Sequence, residues 1–132
     1  MDVASDRCRG GDRMRVVVTV PNLKLATLNV REHHMARAKR VKGERLAVFA
    51  ALSFLARAIA ADLRAAPRVR VTFTRIAPRL LDTDNAWGAL KGVRDEVARW
   101  LMKDDGPSSG VTWDVQQERG AYAVRIELEW EA

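Results

Sequence analysis

The hydrophobic and polar positions of the chain follow two periods, and the shorter period marks four segments as strands. Residues 14–20 form a run rich in β-branched side chains, which is typical of a buried strand. Residues 68–75 alternate strictly between apolar and polar, which predicts a half-buried strand with a basic polar face. Residues 111–117 and 121–130 predict two further strands, joined as a hairpin around 118–120.

Helical spacing separates these strands. Between residues 34 and 66 one helix face is predicted, formed by Val41, Val48, Leu52, Leu55, Ile59 and Leu63. Pro67 ends this helix, because the residue before a proline is pushed out of the α region. A second helix is predicted from about Asn85 to Met102. The order is β-α-β-α-β-β, which predicts an α/β (α+β) fold: a small four-stranded mixed sheet with two helices packed on it.

Length and composition indicate one globular domain. The chain has 132 residues, of which 48% are apolar, enough to bury a core. Residues 1–13 are expected to be a disordered or loose tail, and residues 14–132 a single domain. A single cysteine, Cys8, excludes an intrachain disulfide. Because neither a membrane span nor a signal-like apolar segment is recognisable, we expect a cytoplasmic protein.

Charge is distributed unevenly along the chain. Residues 1–80 contain 17 Lys/Arg and 6 Asp/Glu, whereas residues 81–132 contain 6 and 11. A basic surface attracts phosphate backbones without reading their sequence, so the first part is a candidate nucleic-acid surface. Enrichment of arginine in a GC-rich genome would produce the same composition, and both explanations stay open.

Acidic residues flank the second predicted helix. Asp82 and Asp84 lie two apart in an extended segment, so their side chains point the same way. Asp104 and Asp105 follow the helix. If that loop folds back, three carboxylates can meet around one Mg²⁺ ion, which prefers oxygen ligands. Alternatively, Asp84 caps the helix and the later pair belongs to a turn.

Lys91 also has two interpretations. It lies four residues before Asp95, and this spacing favours an ion pair on one helix face. Alternatively, Lys91 faces the carboxylates and stabilises the charge that develops on a phosphate.

Together these segments resemble one family, the RusA-type Holliday junction resolvases, whose members are small and often phage-encoded. The shared pattern is Asp82-Thr83-Asp84-Asn85, then Lys91-Gly-Val-Arg-Asp95 in a helix, then Asp104-Asp105. Thr27-Leu28-Asn29-Val30-Arg31, after the first strand, also fits. The resemblance covers about residues 14–131, including the order of elements.

The resemblance implies a homodimeric, Mg²⁺-dependent endonuclease that resolves four-way DNA junctions by paired nicks. By position, Asp82, Asp84 and Asp105 would bind the metal and Lys91 would be the essential lysine of the site. The basic part of the chain would then hold DNA phosphates, through Arg31, Arg37, Lys39, Arg40, Arg68 and Arg70.

One departure from the family pattern keeps an alternative open. Lys91 follows Asp84 by seven residues, whereas in the best-known pattern the lysine follows by four. Both spacings fall on one helix face, but the longer one moves the lysine about one turn (~5 Å) along the helix. A catalytically altered or inactive nucleic-acid-binding protein on the same scaffold is therefore the second hypothesis. The third hypothesis is a structural or interaction protein, whose carboxylates serve only as helix caps and turn residues.

Overall fold

The computed structural model describes residues 2–7, 13–25, 34–104, 106 and 108–131, and residues 2–7 are described by their backbone alone. This part of the chain contains five strands: β1 (Asp2–Arg7), β2 (Arg13–Pro21), β3 (Val69–Ala77), β4 (Val111–Arg119) and β5 (Ala123–Glu131). It also contains four helices: α1 (His34–Leu52), α2 (Arg57–Ala65), α3 (Thr83–Ala89) and α4 (Lys91–Leu101). The predicted α+β class is confirmed.

All five strands form one mixed sheet in the order β1-β2-β5-β3-β4. The pairs β1–β2, β2–β5 and β5–β3 are antiparallel, and β3–β4 is parallel. A parallel pair needs a crossover, which here consists of α3 and α4. The crossover therefore carries the chain from the end of β3 back to the start of β4.

The predicted hairpin between the last two strands is wrong. β5 lies between β2 and β3, and β4 pairs only with β3 among the described strands. The connection between β4 and β5 passes the end of β3, where the Gly120 N–H donates to the Ala77 carbonyl oxygen at 3.1 Å. A Cβ atom on Gly120 would lie 2.9 Å from the Ile76 Cγ2 atom, so a larger residue there would force the Ile76 side chain or the connection to shift. The apolar face of β5 is buried along the whole strand.

The prediction of a loose tail over residues 1–13 also needs correction. Residues Asp2–Arg7 form an edge strand whose register with β2 runs from Asp2–Thr19 to Arg7–Met14. Backbone pairing with an edge strand does not require apolar side chains, which explains why the hydrophobic pattern missed this strand.

The first predicted helix is interrupted rather than continuous. α1 and α2 are separated by residues 53–56 and meet at 110°. The Ser53 hydroxyl donates to the Phe49 carbonyl oxygen at 2.7 Å, a local bond that competes with the helix ladder and bends helices. α2 ends where Pro67 predicted, with Ala66 in the extended region at ψ 131°.

The core lies between the helices and one face of the sheet. Val16, Val18, Ile126, Leu128, Val71 and Phe73 from the central strands are fully buried, as are Val48, Leu52, Leu63 and Leu101 from the helices. The other sheet face is polar and carries ion pairs, including Arg15–Glu127 at 3.1 Å and Arg125–Glu118 at 2.8 Å. Among the described residues, no single helix has both the length and the apolar content to cross a membrane; the bent pair α1–α2 meets that test only when taken together.

Candidate metal and nucleic-acid site

Asp82 and Asp84 lie where the chain leaves the sheet to enter the crossover. Asp82 is the N-cap residue of α3, with extended backbone at φ −66° and ψ 161°, and Asp84 is in the first turn. Both side chains are exposed. The structure therefore presents two carboxylates to solvent beyond the end of β3.

Neither carboxylate acts as a helix cap. The Asp82 side chain accepts no backbone N–H of α3; it accepts instead from the side-chain amide of Asn85. The Asp84 side chain has no hydrogen bond or ion pair with any described residue. The capping interpretation therefore has no support at Asp84, whose carboxylate is available to a ligand.

Lys91 does not share a helix with Asp84. The predicted single helix over 85–102 is divided at Leu90, which has φ −92° and ψ 2° and serves as C-cap of α3 and N-cap of α4. The two residues could share one helix face only if the helix were continuous, so the expectation that they do is wrong. Lys91 is exposed, and among the described residues no ion pair joins it to Asp95.

Asp104 lies at the other end of the crossover. Its carboxylate accepts from the Gly106 N–H at 3.4 Å, and the Gly106 carbonyl oxygen accepts from Ser109 N at 3.2 Å. The Gly110 carbonyl oxygen then accepts from Val69 N at 3.0 Å, where β3 begins. Asp105 itself lies outside the described residues.

The length of β4 separates the two acidic segments. Leu81, next to Asp82, is hydrogen bonded to Gln117, whereas the Asp104 segment adjoins Gly110. The seven residue steps from Gly110 to Gln117 span about 23 Å of extended chain. The structure therefore keeps Asp82 and Asp84 at one end of the crossover and does not bring Asp104 to them. The expectation that both side chains point the same way from an extended segment is wrong, because α3 begins at Thr83 and only Asp82 has extended backbone.

The donor chemistry of Asp82 and Asp84 fits a magnesium ion. Mg²⁺ is commonly held by one or two carboxylates and keeps several waters, which exposed side chains allow. Within the described ranges there is no group of three or more His, Cys, Asp or Glu side chains that could hold a metal. Two carboxylates are therefore the protein ligands that these residues can offer.

Sequence reasoning missed two polar residues beneath this site, Arg75 on β3 and Gln117 on β4. They face each other in the parallel register. Arg75 is only 6% exposed, and burial lowers the pKa of its guanidinium below the usual value. A signal was present: Arg75 continues the alternation that buries Val71 and Phe73, and a charged residue in that phase requires partners.

The basic residues of α1 form one candidate nucleic-acid surface. Arg37 and Lys39 are exposed, whereas Arg40 is held by the buried Glu44 at 2.7 Å. A groove of about 630 Å³ separates α1 from α4, with a basic rim that includes Arg37, Lys42, Arg45 and Arg99. The Arg45 Nε atom lies 3.4 Å from the buried Glu96 carboxylate, an ion pair that ties the two helices together.

Close packing places Lys91 beside this helix. A side chain on Gly92 would lie 3.3 Å from the Val41 Cγ1 atom and 3.4 Å from the Glu44 Oε2 atom. The start of α4 therefore lies against the middle of α1, and Lys91 directly precedes the residue that makes this contact.

Arg68 and Arg70 lie on a different surface. Arg70 pairs in register with Thr112 and Glu129 on the polar sheet face, opposite the helices. Its guanidinium bonds Asp114 at 3.2 Å, which neutralises part of its charge. The expected phosphate contacts therefore divide between two faces, and Arg31 lies outside the described residues.

No protein-family model matches this sequence, and no curated protein matches it significantly.

Proposed function

We propose that this protein is a Mg²⁺-dependent endonuclease that cuts branched DNA, in particular four-way junctions. The observation that carries the proposal is the pair of exposed carboxylates at Asp82 and Asp84, neither of which caps the helix that it begins. Proteins with a purely structural Asp-x-Asp turn normally use one of these side chains to accept backbone N–H groups. The resemblance of the sequence to the RusA-type resolvases supplies the substrate class.

In this proposal Asp82 and Asp84 are the metal ligands. When bound, the ion polarises the scissile phosphodiester and activates an attacking water. Asn85 donates to the Asp82 carboxylate and so limits the rotation of that ligand. By the resemblance, Asp105 would be the third ligand and Lys91 the essential lysine of the site.

DNA binding is assigned to the α1 side of the molecule. Lys39 and Arg37 are exposed there, and Gly92 packs the start of α4 against α1 next to the exposed Lys91. Because a four-way junction has approximate two-fold symmetry, a homodimer is the expected form. We expect this protein to act in the cytoplasm of a cell or of a phage-infected cell.

The test is a cleavage assay on a labelled four-way junction and a matched linear duplex, with Mg²⁺ and with chelator. We expect metal-dependent paired nicks in the junction alone, and loss of cleavage in both Asp82→Asn and Asp84→Asn with junction binding retained. Asp62→Asn is the matched control, because Asp62 is an exposed carboxylate on α2. Cleavage at the wild-type rate by both site variants would refute the mechanism.

A second candidate is a non-catalytic binder of the same DNA. The interruption of the helix at Leu90 and the distance of Asp104 from Asp82 favour it, because both remove groups from the carboxylate pair. A ligand displaced by even ~1 Å can be costly for catalysis. The binder predicts tight, salt-sensitive junction binding without turnover at any Mg²⁺ concentration, so the same assay separates the two candidates.

A further inference from the structure

The segment between β3 and α3 is held to the sheet by one side chain of β4. The Gln117 Oε1 atom accepts from the Leu81 N–H at 2.8 Å, and its Nε2 atom donates to the Leu81 carbonyl oxygen at 2.7 Å. A single amide thus satisfies both backbone groups of one residue, as a neighbouring strand would. Since Asp82 follows Leu81 directly, this pair of bonds fixes the point from which Asp82 leaves the sheet.

Arg75 completes the arrangement from β3. Its Nη1 atom donates to the Arg79 carbonyl oxygen at 2.9 Å and lies 3.4 Å from the Gln117 Oε1 atom. The Arg75 Nε atom is buried and has no hydrogen-bond partner, and no described carboxylate pairs with this guanidinium. The fold therefore accepts a costly buried cation at the position that holds the loop.

We propose that Gln117 and Arg75 are positioning residues that set the place of the Asp82 and Asp84 carboxylates for metal binding. This inference rests on the function proposed above. The residues between β3 and Asp82 are Pro78, Arg79, Leu80 and Leu81, and the first three of them are exposed. Those three side chains contribute little packing, and Leu81 is only partly buried against the core. The position of the segment therefore depends on the hydrogen bonds from Gln117 and Arg75 together with the packing of Leu81.

The position of the Asp82 and Asp84 carboxylates determines how tightly they can bind a metal ion. Mg²⁺ demands near-ideal octahedral coordination, so carboxylates on a segment without a fixed position bind it weakly. Groups that orient metal ligands commonly change metal affinity by about 10–100-fold when they are lost. We therefore expect Gln117 to act on metal affinity through the backbone of Leu81, without touching the ion.

The test compares three variants of one strand. Gln117→Met keeps the shape and removes both bonds to Leu81, whereas Gln117→Glu keeps the acceptor for Leu81 N and loses the donor. Gln116→Met is the matched control, because Gln116 is exposed on the polar face and has no described partner. The readouts are Mn²⁺ affinity by calorimetry, hydrogen exchange of the Leu81 amide, and thermal unfolding.

We expect Gln117→Met to weaken Mn²⁺ binding about tenfold and to accelerate exchange at Leu81, with cleavage restored at high metal concentration. Gln117→Glu should recover most of both properties, and Gln116→Met should match the wild type. Unchanged Mn²⁺ affinity in Gln117→Met, with normal binding by the wild type, overturns the inference alone. Failure of the wild type to bind Mn²⁺ overturns the metal site itself, and with it this role of Gln117.

Discussion

The Pro67 carbonyl oxygen occupies the space that a side chain on Gly110 would need. A Cβ atom built on Gly110 would lie 2.2 Å from that oxygen, and Gly110 has φ +83°. We predict that Gly110→Ala destabilises the protein by about 2–4 kcal/mol, because the left-handed backbone and the clash both oppose a side chain. Urea unfolding followed by circular dichroism measures the change.

Gly43 provides the control for this prediction. It lies in the middle of α1, and a Cβ there would meet nothing within 4 Å. Gly43→Ala should stabilise the protein by about 0.5–1 kcal/mol, since alanine restricts the unfolded chain and favours helix. Unchanged stability of Gly110→Ala, beside the expected gain in Gly43→Ala, would show that the start of β4 is not packed against Pro67.

Two lysines near the ends of α4 should behave differently. The Lys103 ammonium donates to the carbonyl oxygens of Arg64 at 3.1 Å and Ala66 at 2.9 Å, and so closes the C-terminus of α2. Lys103→Met should cost about 1 kcal/mol of unfolding free energy. Lys91→Met should leave stability within about 0.5 kcal/mol, because Lys91 is exposed and has no described partner.

For junction cleavage we expect the opposite ranking: Lys91→Met should be the more impaired of the two variants. Under the proposed function Lys91→Met lowers junction cleavage, whereas Lys103→Met leaves it near the wild-type rate at a temperature where the variant is folded. Full cleavage by Lys91→Met would remove this residue from the site and leave the carboxylates as the test of the proposal.

Salt dependence should distinguish the two basic surfaces. Lys39 is exposed on α1, whereas the Arg70 guanidinium is 3.2 Å from Asp114 on the opposite face of the sheet. Lys39→Gln should reduce the slope of log Kd against log salt by about one, the effect of one lost phosphate contact. Arg70→Gln should change it little, and the reverse result would place the DNA on the polar sheet face.

The sequence pattern predicted local structure better than the arrangement of the strands. Pro67 ends α2 as expected, and Val48, Leu52, Leu55 and Leu63 are buried as the helical spacing required. The apolar spacing continues unchanged across Ser53, so it could not reveal the bend between α1 and α2. All four tryptophans are buried or partly buried, as their apolar phase indicated.

The alternation of apolar and polar residues along a strand does not show which strands are its neighbours in the sheet. The pattern of β5 requires one buried face, which a hairpin with β4 would satisfy as well as the observed position between β2 and β3. The choice depends on the crossover through α3 and α4, a long-range property. At the site, the strand-to-helix placement of Asp82 and Asp84 was predictable, whereas the role of Gln117 depends on the parallel register that places it beside Arg75.

The buried cation at Arg75 leads to a last prediction about stability and pH. Burial lowers the pKa of this guanidinium, so the charged form is less favourable in the folded protein than in the unfolded chain. Both states carry the proton below the folded-state pKa; the cost is therefore constant at neutral pH and decreases only when the pH rises through that alkaline value. Arg75→Met should accordingly lie within about 1 kcal/mol of the wild type in unfolding free energy, because removal of the desolvated charge offsets the lost bond to Arg79. The difference between the two proteins should stay flat from about pH 5 to 8 in urea unfolding. A loss of several kcal/mol, or a difference that varies across this range, would mean that a carboxylate pairs with Arg75 in solution.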